Sequence, residues 1–226
     1  RSLNEIELKF NFNDTVLKMI INKLIDLNLL INGIVYIQIT RGVASRDHKF
    51  PKSTNASLVI TSKHLNIEKK LTLGKSAITV KDERWKRRDI KTIQLLPNCI
   101  AKEKASRKGA YEAIMVMPDG KVSEGSSSNV WIVSGNKLIT RNADFDILNG
   151  ITRRSILNIA TKRQFVIEER PFDILEMMNA DEVFLTSATS LVTAITEIDG
   201  KKIKNGKIGN VSINLRNDYL SNSFNF

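Results

Sequence analysis

The sequence of 226 residues contains one cysteine, Cys99, and two histidines. A single cysteine forms no intrachain disulfide, and so few sulfur and imidazole ligands argue against a zinc or His-rich metal site. No apolar run approaches the roughly 20 residues that a membrane-spanning helix needs, and no signal-like segment opens the chain. These scarcities predict a cytoplasmic protein that binds neither a metal nor a membrane.

Acidic residues are also comparatively few, with 24 Asp and Glu against 35 Lys and Arg and a formal net charge of +11. Positive charge favours nucleic-acid binding when it is clustered. The one dense basic run, "KDERWKRRDIK" at 81–91, is interrupted by acids, and no basic stripe carries the interleaved aromatic residues that stack on bases. We therefore expect a Lys- and Asn-rich surface and no nucleic-acid partner.

Apolar periodicity and turn residues predict many strands with interspersed helices, which is an α+β pattern. The predicted helices cover 15–30, with Asp14 as N-cap and Asn32-Gly33 as stop, 97–108, a segment from Thr152 onward, and 172–179. The predicted strands cover 34–40, 57–62, 76–80, 90–96, 111–117, 121–125, 130–134, 137–140, 165–170 and 181–187. Segment 63–76 has no periodicity, so it predicts a connector between two domains, residues 1–72 and 73–226.

Lys91 stands out because it lies inside an apolar run, "DIKTIQLLPN", that is typical of a strand. Burying an ammonium group costs free energy unless the group is paired or neutralised. A lysine in such surroundings suits Schiff-base chemistry. The alternative is a lysine that points to solvent from an edge strand.

Three further segments place small or polar residues where a strand or turn ends. In "SEGSSSNVW", Glu124 precedes a serine cluster, which indicates either a binding site or an ordinary turn. In "ILNGITRRSILNIA", Gly150 precedes a helix start, where free N–H groups favour an anion by about 0.3–1 kcal/mol; a plain threonine cap at Thr152 is the alternative. The segment "FLTSATSLVTAI" at 184–195 indicates either phosphate donors or a tight turn.

The stretch "YIQITRGVASRDHKFP" at 36–51 begins as an alternating strand and becomes a charged loop. Arg46 and His48 are separated by one residue, so both can point to one anion. A solvated surface loop is the alternative interpretation.

Together and in this order, these segments resemble the fold-type IV pyridoxal-phosphate enzymes, which include branched-chain aminotransferases, D-amino-acid aminotransferases and aminodeoxychorismate lyase. The resemblance covers essentially the whole chain, and it rests on "RRDIKTIQLLPNCIAKEKASRKGAYEAIMV", "VSEGSSSNVWIV", "ILNGITR" and "VFLTSATS". Among the members, the loop with Arg46 and His48 looks most like that of D-amino-acid aminotransferases. The resemblance implies a small α/β N-terminal domain and a larger C-terminal domain with a barrel-like sheet.

The resemblance also implies a role for each site residue. Lys91 is the lysine that the pyridoxal phosphate binds covalently, Glu124 pairs with its pyridine nitrogen, and Leu148 packs on its ring. The implied phosphate ligands are Ile151, Thr152, Ser187 and Ala188. The serines Ser126, Ser127 and Ser128 belong to the wall beside the cofactor. Arg46 and His48 bind the substrate carboxylate by reaching into the partner subunit's site, which implies a homodimer.

The implied reaction is transamination from a D-amino acid to a 2-oxo acid, such as D-alanine with 2-oxoglutarate. Two alternatives stay open on the same fold, a branched-chain L-aminotransferase and an aminodeoxychorismate lyase. "RSLNEIELKF" resembles the end of the family's first helix. We therefore expect a small domain truncated at its start, without the family's phosphate-binding arginine and a pocket tyrosine, which leaves a catalytically impaired homologue as a third alternative. Ala188 stands where D-amino-acid enzymes tend to have threonine.

Overall fold

The computed structural model describes residues 1–52, 54–66 and 73–223. The chain divides into two compact units, residues 1–67 and 68–226. The domain boundary predicted after residue 72 borders segment 67–72, which lies outside the described residues. None of the helices in the described ranges is both long and apolar enough to cross a membrane.

In its described residues, 1–52 and 54–66, the first unit contains two helices and one antiparallel strand pair. These elements are α1 (Ser2–Glu5), α2 (Asp14–Leu27), β1 (Gly33–Thr40) and β2 (Ser57–His64). Helix α2 is capped by Asn13, whose side chain accepts a hydrogen bond from the Thr15 N–H at 2.8 Å, so Asp14 is the first helical residue rather than the predicted cap. The helix also ends at Leu27, before the predicted stop at Asn32-Gly33, and Leu29 has a left-handed φ of 48°.

The second unit is built on one mixed sheet. In chain order its elements are β3 (Lys75–Lys81), α3 (Leu96–Arg107), β4 (Glu112–Val116), β5 (Val122–Gly125), β6 (Asn129–Ser134), β7 (Lys137–Thr140), α4 (Ile151–Lys162), β8 (Val166–Glu169), α5 (Ile174–Met178), β9 (Glu182–Ser187), β10 (Leu191–Ile198), β11 (Lys201–Lys202) and α6 (Asn210–Ser223). Among the described residues the sheet order is β5-β4-β3-β10-β9-β6-β7-β8, with β11 paired to β10. The predicted hairpin turns are confirmed, and Gly120 and Gly135 supply the positive φ angles that these turns require.

The sheet must curl, because β5 and β6 are consecutive in the chain but distant in the sheet order. Four strands lie between them, so a flat sheet would separate them by five spacings of about 4.8 Å, or about 24 Å. The four residue steps from Gly125 to Asn129 reach at most about 14 Å. The Gly125 N–H in fact donates to the Ser128 carbonyl at 2.6 Å, which makes a tight corner. The expected barrel-like sheet is therefore confirmed.

Side chains from both faces of the sheet are buried. Along β6, Ile132 packs into the cluster that includes Ile114 and Leu185, whereas Trp131 points the other way. The Trp131 ring stacks on Phe184, with centroids 5.6 Å apart, in the cluster beneath α4 and α6. Burial on both faces explains why these strands are continuous apolar runs.

The strand predicted at 90–96 is wrong. Residues 91–95 form a loop, and α3 begins at Leu96, with Pro97 in its first turn as predicted. Strand β3 already has β4 on one side and β10 on the other, so this apolar run has no sheet edge beside β3 to join. Strand β10 and helix α6 were not predicted.

Candidate active site

Glu124 is the buried carboxylate of the candidate site. It lies near the end of β5, where its residue exposure is 5%. The Leu148 N–H and the Asn129 amide donate to its Oε2 at 3.2 and 3.1 Å, and Arg84 forms an ion pair with its Oε1. Two neutral donors and one cation therefore hold the carboxylate in a fixed orientation.

Arg84 serves two carboxylates, because it also binds Asp82 through Nε and Nη2 at 3.0 and 2.8 Å. Asp82 further accepts from the Ser123 hydroxyl at 2.6 Å and lies 3.3 Å from Nε of Arg88. Asp82 is 5% exposed, and the Arg84 and Arg88 side chains are each 7% exposed. These charged residues of the run 81–91 are therefore buried in an ion-pair network.

The two carboxylates differ in protonation. Burial raises the pKa of Glu124 to about 7, although Arg84 and the Leu148 N–H act in the opposite direction. Burial also disfavours the charged form of Asp82, but the hydrogen bonds and charge of Arg84 outweigh it, so the pKa of Asp82 falls below its usual value. The negative charge opposite the Arg84 guanidinium therefore lies mainly on Asp82. Glu124 gains or loses a proton near neutral pH.

Asn129 joins three of the predicted segments, although it was not among the predicted site residues. Its amide donates to the Leu148 carbonyl at 2.9 Å as well as to Glu124. A Cβ atom at Gly150 would lie 2.4 Å from the Asn129 Oδ1, so a larger residue there would displace the asparagine. On the neighbouring strand, Asn129 pairs with Thr186. The asparagine directly after the serine cluster was the signal that could have identified it.

Helix α4 begins beside this asparagine, with Gly150 as its N-cap. A glycine offers no side chain to the first N–H groups of the helix, and these groups favour an anion. Thr152 is 1% exposed, and within the described ranges its Oγ1 has no hydrogen-bond partner. Ile151 is 58% exposed, so the helix start is open on that side. A buried hydroxyl without a partner next to free N–H groups is suited to an oxyanion.

The strand β9 ends at Ser187, one residue beyond the partner of Asn129. Ser187 is partly buried, and its hydroxyl lies 2.5 Å from that of Ser190, whereas Ala188 is exposed. The turn after β9 therefore begins next to Thr186, the strand partner of Asn129.

The three serines of the corner between β5 and β6 share one acceptor that the sequence did not suggest. Glu112 on β4 is 1% exposed and accepts hydrogen bonds from the hydroxyls of Ser126, Ser127 and Ser128, the last two at 3.3 and 3.0 Å. These contacts tie the corner to β4. The predicted role of the serines beside a cofactor stays a prediction.

Lys91 lies in the loop between β3 and α3 and is exposed, whereas Asp89 and Ile90 just before it are buried. The buried part of the chain therefore fixes the base of this loop. The Lys91 amine is reachable by a small molecule, and its predicted strand environment is not present.

Arg46 and His48 lie in the loop between β1 and β2 of the first unit, and both are exposed. Arg41, at the start of this loop, donates to the carbonyls of Ile6 and Glu7, and its guanidinium lies 3.5 Å from the centre of the Phe50 ring. Arg41 thus connects the start of the loop to Phe50 in the middle of the loop and to the backbone at Ile6 and Glu7.

Known proteins resemble this chain over almost its whole length. The family model "Amino-transferase class IV" matches residues 1–198. A D-alanine aminotransferase from Bacillus licheniformis is 39% identical over 230 residues, which cover 98% of this chain and 80% of that protein. A D-alanine aminotransferase from Listeria innocua is 38% identical over 223 residues, covering 97% of this chain and 77% of that protein.

A solved structure of the branched-chain amino acid aminotransferase from Escherichia coli has a TM-score of 0.87 at 19% identity and covers 97% of this chain and 75% of that chain. At that identity the likeness concerns the fold, which is the two-domain α+β fold of the fold-type IV aminotransferases. With a family model over 198 residues and relatives above 30% identity over nearly its whole length, the chain belongs to the class IV amino-transferase family.

Proposed function

We propose that this protein is a pyridoxal-phosphate-dependent aminotransferase that moves the amino group of D-amino acids to 2-oxo acids, converting D-alanine and 2-oxoglutarate to pyruvate and D-glutamate. The relatives named D-alanine aminotransferase support this substrate class. The observation that carries the proposal is the buried Thr152 hydroxyl at the start of α4, which has no hydrogen-bond partner in the part of the chain that the structure describes. It is joined through Gly150 and Asn129 to the buried Glu124.

The hydrogen-bonding groups of the site suit the phosphate and the pyridine nitrogen, which are the two polar ends of pyridoxal phosphate. The N–H groups of Ile151 and Thr152 and the Thr152 hydroxyl would hold the phosphate, with Ser187 and Ala188 as further donors. Glu124 would accept a hydrogen bond from the pyridine nitrogen and keep that nitrogen protonated, and the partly buried Leu148 would pack against the ring. When bound, pyridoxal phosphate supplies an aldehyde that takes up the amino group and a ring that withdraws electrons from the substrate Cα.

Glu124 would hydrogen-bond to the protonated ring nitrogen, because its carboxylate is already oriented by Asn129 and the Leu148 N–H. A positively charged N–H at that position would replace the missing solvation of the carboxylate and favour its charged form. Arg84 lowers the free energy required to bury that negative charge, since it forms ion pairs with both Glu124 and Asp82.

Lys91 would form the covalent bond with the cofactor and, once displaced by substrate, take the proton from the substrate Cα. Arg46 and His48 would bind the substrate carboxylate, and the way they hold it relative to Lys91 would decide between D- and L-amino acids. We further propose a cytoplasmic homodimer in which this loop serves the partner's site.

A substrate comparison tests the proposal. We expect pyruvate release from D-alanine with 2-oxoglutarate to far exceed deamination of L-leucine, and the reverse order would instead support a branched-chain enzyme. Turnover of aminodeoxychorismate without any 2-oxo acid would support the lyase, because a lyase needs no amino acceptor. Absence of turnover with all three substrates in the cofactor-loaded protein would support an impaired homologue.

The cofactor linkage is tested with two lysines of one loop. Lys91→Ala should abolish both the yellow absorbance of the bound cofactor and all transamination. Lys86→Ala, at an exposed lysine of the same loop, is the matched control and should change neither. Retention of the absorbance by Lys91→Ala would overturn the assignment of this lysine.

A further inference from the structure

The turn between β9 and β10 has an unusual backbone. Leu191 pairs with Ser187 across the hairpin, so the loop itself has three residues, 188–190. Leu191, the first residue after this loop, has a left-handed φ of 58° and is 3% exposed. A leucine side chain disfavours this conformation, so neighbouring contacts must maintain it.

Arg216 of helix α6 provides such contacts from outside the hairpin. Its Nη1 donates to the carbonyls of Ser190 and Val192, at 2.8 and 2.6 Å. These two carbonyls flank Leu191, so one guanidinium holds the backbone on both sides of the strained residue. Arg216 is 4% exposed, and charge-assisted hydrogen bonds are strong in such surroundings.

Two hydrogen bonds within the turn link Ser190 to Thr193 and to Ser187. The Thr193 hydroxyl donates to the Ser190 carbonyl at 3.0 Å, and the Ser190 N–H donates to the Ser187 hydroxyl at 3.1 Å. The side chain of Ser187 is therefore oriented by Ser190, and Ser190 is held in turn by Arg216. A change at α6 is thus transmitted to the Ser187 hydroxyl through two hydrogen bonds.

We propose that Arg216 is a positioning residue that fixes the turn 187–190 in the shape that receives the phosphate of the cofactor. The proposal rests on the proposed function, because it takes Ser187 and Ala188 as phosphate donors. Arg216 touches neither cofactor nor substrate in this role. It acts by keeping the Ser187 hydroxyl and the following N–H groups in one arrangement, which lowers the ordering cost of binding the phosphate.

The test compares two ligands that differ only in the phosphate. Cofactor-free protein is titrated with pyridoxal phosphate and with pyridoxal, and the two dissociation constants are measured from the quenching of tryptophan fluorescence. For Arg216→Met we expect pyridoxal phosphate to bind about tenfold more weakly, whereas pyridoxal changes by less than about twofold. The ratio of the two constants is the readout, since a general loss of stability would weaken both ligands alike.

The matched control is Arg163→Met. Arg163 binds Asp218, which is also on α6, at 2.7 Å, and its side chain is 44% exposed. This variant therefore removes a guanidinium that contacts the same helix without touching the turn, and the ratio should stay at the wild-type value. If Arg216→Met does not fold, Arg216→Lys carries the test, because it keeps a buried cation but loses the planar fork, and the same phosphate-selective loss is expected.

Two outcomes separate this proposal from the proposed function. In the first, the wild-type protein strongly prefers pyridoxal phosphate and the Arg216 variants leave the ratio of the two dissociation constants unchanged. This outcome would overturn the role of Arg216 and leave the proposed function standing. A wild-type protein that binds both ligands equally would overturn the phosphate site itself.

Discussion

The protonation of Glu124 gives a quantitative test of the site in the absence of cofactor. Burial raises the pKa of Glu124 from 4.5 to about 7. Between these two values the folded protein holds the proton and the unfolded chain releases it, so the free energy of unfolding falls as the pH rises through this window. At about 1.4 kcal/mol per pH unit, the contribution lost by pH 8 is about 3 kcal/mol.

Replacing Glu124 by glutamine removes the titration and keeps the shape of the side chain. The amide oxygen can still accept from Arg84 and the Leu148 N–H. The amide nitrogen of the new side chain would face the Asn129 amide, which lowers the stability of the variant equally at every pH. We therefore expect the stability of Glu124→Gln relative to the wild type to rise by up to about 3 kcal/mol between pH 5 and pH 8. Other titrating groups affect both proteins alike and cancel in the difference.

The measurement is urea unfolding of cofactor-free protein at several pH values from 5 to 8, followed by tryptophan fluorescence because Trp131 is fully buried. Glu103→Gln, at an exposed position on α3, controls for the substitution itself. A stability difference between Glu124→Gln and wild type that is the same at every pH would refute the reasoning, because it would mean that Glu124 does not take up a proton in the folded state.

Three further predictions concern ligand binding. Thr152→Val should weaken pyridoxal phosphate about tenfold and leave pyridoxal nearly unchanged, since it removes one hydrogen bond to a charged group, and equal weakening of both ligands in fluorescence titrations would contradict a phosphate role. Arg46→Met should raise KM for D-alanine in steady-state assays and leave the cofactor absorbance intact; an unchanged KM would remove Arg46 from the substrate site. Mixing Arg46→Met with Lys91→Ala subunits should restore about a quarter of wild-type activity if sites are shared across a dimer, because half of the dimers are mixed and each has one intact site. No recovery after subunit exchange, checked by light scattering, would mean that each chain completes its own site.

Local sequence signals predict much of the second unit. The hairpins at Gly120 and Gly135 follow from turn residues whose backbone requirements act over three or four positions. The start of α4 at Gly150 and the proline in the first turn of α3 are similarly local. These features can be predicted because no distant residue is needed to produce them.

Features that depend on distant partners escape such prediction. Apolar neighbours predict a strand around Lys91, but no edge beside β3 is available to it. Asp82 and Arg84 have the pattern of surface residues, and only the fold brings Glu124 beside them. The serine corner resembles a row of free hydroxyls, although Glu112, which lies 14 positions before Ser126, accepts from them. Ionic and hydrogen-bond partners at such separations carry no local periodicity.

The pairing of β3 with β10 determines when the candidate site can form during synthesis. These strands are parallel neighbours, with Ala77 opposite Ile198. A nascent chain therefore exposes β3 as an incomplete edge while residues 82–198 are translated, and the curled sheet cannot close before residue 198 has left the ribosome. The serine corner can be tied to β4 as soon as it is synthesised, but β6, which carries Asn129, gains its neighbour β9 only later. Affinity for the cofactor would therefore report that the second unit has been completed.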